Sequence, residues 1–431
     1  SLRRRQRQMC IRDRMDPEAG HYNAESGYIL ENGEEYYAGE CEWDEVGIKA
    51  VDDLTIEYTF KNPQYESTFT STSLFAPLEE SFVDSLGTEY GSSADKILTN
   101  GPFIVSDWVS DSTMTLVKNE NYWDGEVPLD RVTLKCVDDQ TTRSMALQTG
   151  EIDIAYNLKT ENLIEFEGND NYEIQELQSL RSTYAFMNQS EGRALSDKAL
   201  RQALLRGLDK QTYCDVLLEG GATAGKAPVP PTLDFGFDDL NDENSYDPEG
   251  AKKLLDDAGI VDTDGDGIRE IDGENINLHY VSYENRLLND FSNAHIQYLA
   301  EIGIGCTADY GSSDDQWSKL AAGDYDFNNN NWITVGTGDP YAYMANWATD
   351  TTYCGYSNPE YDKLFEQLKS EMDEDKRADL IFQMQQILVD DAAVLIDGYY
   401  NSSMIYSKNV GNAHIHTADY YWLTTEITPA Q

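Results

Sequence analysis

Three aspartates at alternate positions, Asp262, Asp264 and Asp266, lead the stretch DTDGDGIREIDGE. Carboxylates with this spacing can wrap an oxygen-preferring cation such as calcium, and Ile268 would add its main-chain carbonyl. The pattern fails at its twelfth position, where a bidentate glutamate is expected and Gly273 stands. A surface turn held by aspartate side chains that accept main-chain N–H groups explains the same residues. Two interpretations are therefore open, a calcium loop and a plain turn, and no cofactor is required.

Four asparagines, residues 328–331, precede Trp332 in the stretch YDFNNNNWITVGTGDP. Asparagine is a poor strand former, although the residues before the run alternate as they do in a strand. An amide offers donors and an acceptor without net charge, so a row of amides can bind peptide-like backbones of any sequence. The indole adds a flat apolar wall with one N–H donor. The stretch suits a site for an uncharged or peptide-like solute, and a solvated strand end is the simpler alternative.

Signatures of catalysis are missing from the sequence. It contains no HExxH, no GxSxG and no catalytic cysteine–histidine pattern, and its carboxylates are too abundant to single out a glycosidase pair. The six cysteines include no CxxC, which indicates isolated buried thiols rather than a zinc or redox site. One or two disulfides are the alternative.

The charge balance excludes one class of partner. The 431 residues include 79 acidic and 31 basic ones, for a formal net charge of -48, whereas nucleic-acid binding needs a basic face. No apolar run is long enough to cross a bilayer. Residues 1–14, SLRRRQRQMCIRDR, carry six arginines and differ from the rest of the chain. We interpret residues 1–15 as a non-native or disordered leader, although a basic arm for an acidic partner is an alternative.

Periodicity supplies the elements that must position these side chains. Strand-like runs joined by turns dominate the segment up to residue 137, and helices alternate with strands from about residue 196. Helix starts are predicted at Ser196, at Asp247–Pro248, at Asn358–Pro359 and at Asp373. Alternation of this kind predicts an α/β fold.

Several segments in one shared order resemble a known family. They are TNGPFIVSDWVSDSTMTLVKNENYWDGEVPLDRVTLKCV with its Asn119, Tyr122 and Trp123, then TTRSMALQTGEIDIA, then residues 195–231, then YDPEGAKKLLDDAG, then YSNPEYDKLFEQL. Together they resemble the solute-binding proteins of ABC importers, in the oligopeptide, dipeptide and nickel-binding class known as family 5. The resemblance runs from about Gly39 to the end of the chain.

The resemblance implies a two-lobed α/β fold of the periplasmic-binding type, with a small extra domain on lobe one. Residues 16–98 would complete that extra domain, 99–206 would form lobe one, 207–392 lobe two, and 393–431 would return to lobe one. Family members carry a further N-terminal portion, so we expect an N-terminally truncated chain that folds poorly because strand edges of lobe one lack partners. A lipid anchor would belong to that missing portion.

The resemblance also implies where the solute binds. The site would lie in a cleft, with the ligand-binding residues Trp317, Asn329, Asn331, Trp332, Thr334, Asp339, Tyr399 and Tyr400. In peptide-binding members an aspartate three residues after the tryptophan pairs with the peptide ammonium, and here Val335 stands in that place. Either Asp339 takes this role or the role is lost. An uncharged or capped ligand, or a metal chelate, is thus an alternative to a free-amine peptide.

The implied activity is binding without chemistry. A hinged closure around a peptide or similar solute would be followed by delivery to the permease subunits of an ABC importer, outside the cytoplasm, at the bacterial surface or in the periplasm. Two alternatives from other classes are a secreted hydrolase with an acidic, aromatic cleft and a calcium-dependent surface module built on the Asp262 loop.

Overall fold

The computed structural model describes residues 11–12, 14–17, 24–52, 55–63, 75–76, 78–158, 160–333, 338–417 and 426–429, and the side chains of residues 25, 80, 160, 161, 286, 287, 332 and 333 lie outside the description. The chain divides into two compact units. Unit 1 comprises residues 1–153, 408–413 and 423–431, and unit 2 comprises residues 154–407 and 414–422. Each unit is described separately.

Unit 1 is built from small antiparallel sheets. Strands β1 (Ile48–Asp52) and β2 (Thr55–Tyr58) form one hairpin, and β3 (Phe103–Val109), β4 (Thr113–Lys118) and β5 (Arg131–Lys135) form a meander. The prediction of strand-like runs joined by turns up to residue 137 is thereby confirmed. The helices are α1 (Gly33–Tyr37), α2 (Glu80–Leu86) and α3 (Gln140–Gln148), with short 3-10 turns at Ala24–Ile29, Trp43–Glu45, Gly87–Glu89 and Ala94–Lys96. Two-residue strands pair at its end, β15 (Val410–Gly411) with β16 (Thr428–Pro429).

Unit 2 is organised around a seven-stranded sheet. Its order is β12-β11-β13-β7-β14-β6, and β8 also pairs with β14. The strands are β6 (Ile154–Tyr156), β7 (Tyr172–Met187), β8 (Ala222–Ala224), β11 (Asn277–Tyr283), β12 (Gly305–Gly311), β13 (Phe327–Ile333) and β14 (Leu395–Ser407). Strands β12, β11 and β13 are parallel, and β7 and β14 are antiparallel to their neighbours. A separate hairpin joins β9 (Glu270–Ile271) to β10 (Glu274–Asn275).

The helices of unit 2 begin where the sequence offers caps, with one correction. Asp247, Asn358 and Asp373 cap their helices as predicted. At the helix predicted to start from Ser196, the cap is instead Asp197, whose carboxylate accepts the N–H of Leu200 at 3.0 Å. The helices are α4 (Thr160–Leu163), α5 (Lys198–Gly207), α6 (Lys210–Thr212), α7 (Pro248–Asp257), α8 (Arg286–Glu301), α9 (Ser313–Ala322), α10 (Tyr341–Met344), α11 (Pro359–Leu368) and α12 (Glu374–Asp390), with shorter turns at Ile164–Phe166, Ala194–Ser196, Phe237–Asp239 and Ala345–Trp347 and a π-helical turn at Tyr213–Leu217.

The sheet of unit 2 has a hydrophobic core on each face. One core contains Tyr184, Phe186 and Tyr399 and is covered by α11 and α12. The other contains Ala185 and Leu395 and is covered by α5, α7 and α8. The alternation of neighbouring residues in β7 between the two cores follows from the two-residue period of a strand.

The cysteines are only partly as predicted. The five described cysteines are free: Cys214 and Cys354 are buried, Cys41 and Cys306 are half-buried, and Cys136 is exposed, whereas Cys10 lies outside the described residues. The prediction of buried thiols is therefore right for two of them and wrong for Cys136. The disulfide alternative finds no support among these five.

None of the helices in the described ranges combines the length and apolarity needed to cross a membrane. Strands β6 and β7, predicted from the resemblance to lie in lobe one, are part of the sheet of unit 2 because both pair with β14. The lobe borders at residues 99, 207 and 393 stay predictions.

Candidate functional site

The carboxyl ends of β11 and β13 lie side by side at the centre of the parallel part of the sheet. The chain runs from β11 through α8 to β12 at the edge, then returns through α9 to β13 on the other side of β11. In open α/β sheets, solutes bind outside the carboxyl ends of strands at such a reversal of strand order. The end of the asparagine run and Trp332 belong to this edge. It is the candidate solute site within unit 2.

The four asparagines lie inside strand β13, which continues two residues beyond them to Ile333. Asn328 and Asn330 share one face, where the side chain of Gln316 from α9 lies. Its Nε2 donates to Asn328 Oδ1 at 2.6 Å, to the Asn329 carbonyl at 3.0 Å and to Asn330 Oδ1 at 3.1 Å. All three side chains are buried. These amides hold α9 on the sheet, because buried polar groups need such partners.

The alternate asparagines, Asn329 and Asn331, face the opposite side of the strand. Asn329 is fully buried and donates from Nδ2 to Ser292 Oγ on α8 at 2.7 Å. Asn331 is half-buried and pairs along the backbone with Thr183. The Oδ1 atoms of both amides are buried without a hydrogen-bond partner among the described residues. Of the two predicted amides, Asn331 lies nearer the carboxyl edge of the sheet, whereas the side chain of Asn329 is hydrogen-bonded to Ser292 on α8.

Trp332 is the next residue of the strand and pairs along the backbone with Ser182. Its indole lies outside the described side chains, and Thr334 and Val335 lie outside the described residues. The predicted roles of Trp332 and Thr334 as ligand contacts therefore stay predictions, although the backbone of Trp332 is at the expected edge.

Trp317 is the most exposed of the predicted contacts whose side chains the structure describes. It follows Gln316 on α9 and is 45% exposed. Its ring meets Tyr353 edge-on, with centroids 6.3 Å apart, and Tyr353 is 42% exposed and leans on the buried Phe186 at 6.0 Å. The backbone of Tyr353 is fixed by the hydroxyl of Tyr325, which donates to its carbonyl at 2.6 Å. Sequence reasoning missed Tyr353, since no pattern links it to a helix 36 residues earlier.

Tyr399 and Tyr400 are core residues in this structure. Tyr399 is fully buried, and its hydroxyl is bonded to the main chain of Ala227. Tyr400 is 9% exposed, and its hydroxyl meets Thr183 Oγ1 at 2.7 Å. Burial raises the pKa of both phenols, so both are protonated at neutral pH. The sequence reasoning placed these aromatic rings at the site, whereas here the β14 side chains serve the packing of the sheet.

Asp339 forms an ion pair with Arg377. Arg377 on α12 donates from Nε to Oδ2 at 2.6 Å and from Nη2 to Oδ1 at 3.0 Å. Asp339 also accepts the N–H of Tyr341 at 2.8 Å. The residue predicted as an alternative partner for a peptide ammonium is thus a structural ion pair here. Arg377 lies 38 residues further along the chain, so no local sequence pattern indicates this pair.

The Asp262 loop shows the hydrogen bonds of a plain turn. The carboxylate of Asp262 accepts the N–H groups of Gly265 at 2.6 Å and Gly267 at 2.9 Å, and Asp266 accepts the N–H of Ile268 at 2.8 Å. The twelfth position, Gly273, has φ +82° in the turn between β9 and β10, so it serves the hairpin.

The acidic residues that do come together in this loop are Asp262, Asp264 and Glu270, whose ligand oxygens lie within 4.8 Å of one another. This set differs from the predicted one, since it takes Glu270 in place of Asp266 and Ile268. Glu270 is 7% exposed and accepts the N–H of Thr263 at 2.9 Å. Three oxygens could hold a hard cation, but each of the three carboxylates already accepts a main-chain N–H group within the loop.

Comparison with known proteins gives a consistent family. The profile described as "Bacterial extracellular solute-binding proteins, family 5 Middle" matches residues 11–353. The dipeptide-binding protein DppE of Bacillus subtilis is 25% identical over 422 residues, which cover 94% of this chain and 74% of that protein. Heme-binding protein A of Haemophilus influenzae is 31% identical over 222 residues, which cover 49% of this chain and only 39% of that protein.

Solved structures confirm the predicted fold class. The substrate-binding domain of an oligopeptide ABC transporter from Bacillus anthracis superimposes with a TM-score of 0.80 at 20% identity, over 100% of this chain and 84% of that one. Listeria monocytogenes OppA bound to peptide gives a TM-score of 0.78 at 24% identity, with the same coverage. The fold is therefore the two-lobed α/β fold of the periplasmic-binding type.

Members of the matched family are extracytoplasmic binding proteins of ABC importers and not enzymes, as predicted, and the hydrolase alternative is not supported. The profile covers most of the 431 residues. The chain therefore belongs to the bacterial extracellular solute-binding proteins, family 5.

Proposed function

We propose that this protein captures a peptide or a peptide-like solute and delivers it to the permease subunits of an ABC importer. The observation that carries the proposal is the position of Asn331 and Trp332 at the carboxyl edge beside β11, where the strand order reverses. Support also comes from relatives named for dipeptide and oligopeptide binding and from a relative solved with a peptide.

The exposed rings of Trp317 and Tyr353 suit side chains of varied sequence. Aromatic rings held edge-on present a rigid apolar surface at low cost in conformational entropy. The main chain that carries each ring is anchored, that of Trp317 by the neighbouring Gln316 amide, which bonds Asn328, and that of Tyr353 by the hydroxyl of Tyr325. A surface of this type accepts apolar and aromatic side chains without demanding one of them.

The test uses a tryptic digest of casein as the probe. We expect native mass spectrometry of the purified protein to show adducts with peptide masses, a higher melting temperature in the digest, and no shortened products. Binding to the folded state at a hundred times the dissociation constant adds about 2.7 kcal/mol of stability. Replacing Trp332 by Ala should abolish the adducts. Wild-type protein that forms no adduct and shows no shift would contradict the proposal.

A lipid anchor on a preceding part of the polypeptide is a further part of the proposal. Metabolic labelling of the full-length gene product with a radioactive fatty acid should place the label in the membrane fraction. Unlabelled protein released freely from the cell would contradict the anchor but not solute capture.

A further inference from the structure

Three buried polar side chains in unit 2 form a chain that no part of the proposed site uses. The hydroxyl of Tyr280 on β11 meets Nδ1 of His295 on α8 at 2.9 Å. Nε2 of His295 in turn lies 2.9 Å from Oδ1 of Asp397 on β14. The exposed fractions are 0% for Tyr280, 3% for His295 and 0% for Asp397. The chain spans the sheet beneath α8, from β11 to β14.

Asp397 reaches the helix because its strand is irregular at that point. The register of β14 against β7 shifts between Ile396 and Gly398, so Asp397 is an extra residue in the ladder. Bulges of this kind redirect one side chain. The main-chain carbonyl of Asp397 accepts the N–H of Gly225 at 3.0 Å, which fixes the bulge from the other side.

Most of the titratable groups around the Asp397 carboxylate are uncharged. Burial raises the pKa of Cys214 to about 12 and raises those of Tyr213, Tyr280 and Tyr400 further, so all four are neutral at neutral pH. Lys210 on α6 donates its ammonium to the Ile396 carbonyl at 3.2 Å and to Gly225. Burial lowers the pKa of Lys210, and Asp242 and Asp397 oppose that shift.

The approach of His295 Nε2 to Oδ1 of Asp397 is therefore an ion-pair contact, and neither carboxylate oxygen of Asp397 has a hydrogen-bond partner among the described residues. Removing one member of a buried pair leaves an uncompensated polar or charged group, which is costly. The contact between His295 and Asp397 is thus the polar part of the interaction between α8 and β14, beside the packing of Phe291 against Tyr400 at 6.5 Å between ring centroids.

The same face of α8 reaches the candidate site one turn earlier. Ser292, three residues before His295, accepts the amide of Asn329 and donates to the Leu288 carbonyl at 2.9 Å. The helix begins at Arg286, and two residues separate it from the end of β11 at Tyr283. The helix that His295 contacts is therefore also bonded, through Ser292, to Asn329, which lies two residues before Asn331 in β13.

We propose that His295 and Asp397 are positioning residues of the solute site: their contact fixes α8 against the sheet and so holds the carboxyl ends of β11 and β13 ready for the solute. This role rests on the proposed function of that edge. Neither residue touches the solute. An imidazole suits the task because each ring nitrogen can bond a different strand while the ring itself stays in one plane.

The first arm of the test needs no solute. Hydrogen exchange of the ligand-free protein is compared for wild type, His295→Ala, His295→Gln and Asn358→Ala. Asn358 caps α11 through the N–H groups of Glu360 and Tyr361, so its variant is a control for general loss of stability. We expect His295→Ala to raise the hydrogen-exchange rate of the main-chain amides at residues 286–289 and 329–331 about tenfold more than Asn358→Ala does. Such a change corresponds to a loss of about 1.4 kcal/mol in the free energy of local opening. His295→Gln, which keeps a donor, should recover most of the protection.

The second arm measures binding of the casein digest at neutral pH. We expect His295→Ala and Asp397→Asn to weaken binding about tenfold, because either change removes the contact between α8 and β14. Equal exchange at residues 329–331 in His295→Ala and in the Asn358→Ala control would overturn the proposal. If wild type binds no peptide but the exchange result holds, the proposed function fails and the positioning of the edge stands.

Discussion

Asp339 and Arg377 form a two-point ion pair in which both side chains are largely buried, at 15% and 10% exposure. Arg377 also donates from Nη1 to the carbonyls of Leu368 at 2.7 Å and Glu371 at 2.8 Å. The arginine therefore ties the end of α11 and the start of α12 to the segment that follows the asparagine strand. Bidentate pairs of this geometry are among the stronger polar interactions in proteins.

Replacing Asp339 by Asn should lower the free energy of unfolding by about 3 kcal/mol, because it leaves a nearly buried guanidinium without its counter-charge. Urea denaturation at neutral pH measures the loss. The exposed pair between Glu366 and Lys369 on α11 provides a control, since Glu366→Gln should cost under about 0.5 kcal/mol. Equal losses in the two variants would show that the Asp339 pair is no more stabilising than a surface pair.

The same ion pair predicts the form of the ligand. Since Val335 stands where peptide-binding members have an aspartate and Asp339 is paired with Arg377, an unpaired peptide ammonium would gain little at this place. We expect N-acetyl-Ala-Ala-Phe-Ala-Ala-amide to bind at least as tightly as the free-amine pentapeptide by calorimetry. A preference of more than about tenfold, or 1.4 kcal/mol, for the free amine would indicate a carboxylate partner that the pairing with Arg377 does not remove.

Gln316 and Trp317 are neighbours on α9 with opposite environments. Gln316→Ala should lower the free energy of unfolding by about 2 kcal/mol, because Asn328 and Asn330 then lose a buried donor. Trp317→Ala should leave stability within about 1 kcal/mol and instead weaken peptide binding. Measuring both quantities for both variants separates the roles. A Trp317→Ala variant that binds the casein digest like wild type would remove this ring from the site.

The contrast between these two residues shows what the sequence can reveal. Helix starts at Asp247, Asn358 and Asp373 were predictable because each cap is a local pattern, and even the error at Ser196 is one residue. The uses of Asn329 and Asp339 depend on Ser292 and Arg377, which lie 37 and 38 residues away in the chain. Residue types singled out the strand of the asparagines as a candidate site, but only the three-dimensional structure shows which of its amides are already hydrogen-bonded.

The Asp262 loop should fold without a cation, because main-chain N–H groups already satisfy its carboxylates. We expect EDTA to leave the melting temperature unchanged and calcium at millimolar concentration to raise it by no more than about a degree, as RT ln(1 + [L]/Kd) stays small for a weak site. A marked rise with calcium that is lost in Glu270→Gln would contradict this and assign the ion to Asp262, Asp264 and Glu270.

Stability should fall in acid partly through Asp391, which follows α12. Burial alone would raise the pKa of this carboxyl, but hydrogen bonds from Lys198 at 2.9 Å, Tyr356 at 2.7 Å and Asn358 at 2.8 Å outweigh it and lower the pKa. The unfolded chain then takes up a proton at a higher pH than the folded protein does. The stabilisation is therefore complete above the ordinary pKa of 3.8 and is lost as the pH falls below it.

Asp391→Asn tests this directly. At pH 7 the free energy of unfolding of the variant should be about 2 kcal/mol lower than that of wild type, since hydrogen bonds to a charged group are lost. This difference should shrink as the pH falls below about 4. Asp390→Asn, next in the chain and bonded only to Gln386 at 2.7 Å among the described residues, should show a small difference at every pH. A gap for Asp391→Asn that stays constant from pH 7 to pH 3 would mean that the carboxylate charge is not what Lys198, Tyr356 and Asn358 stabilise.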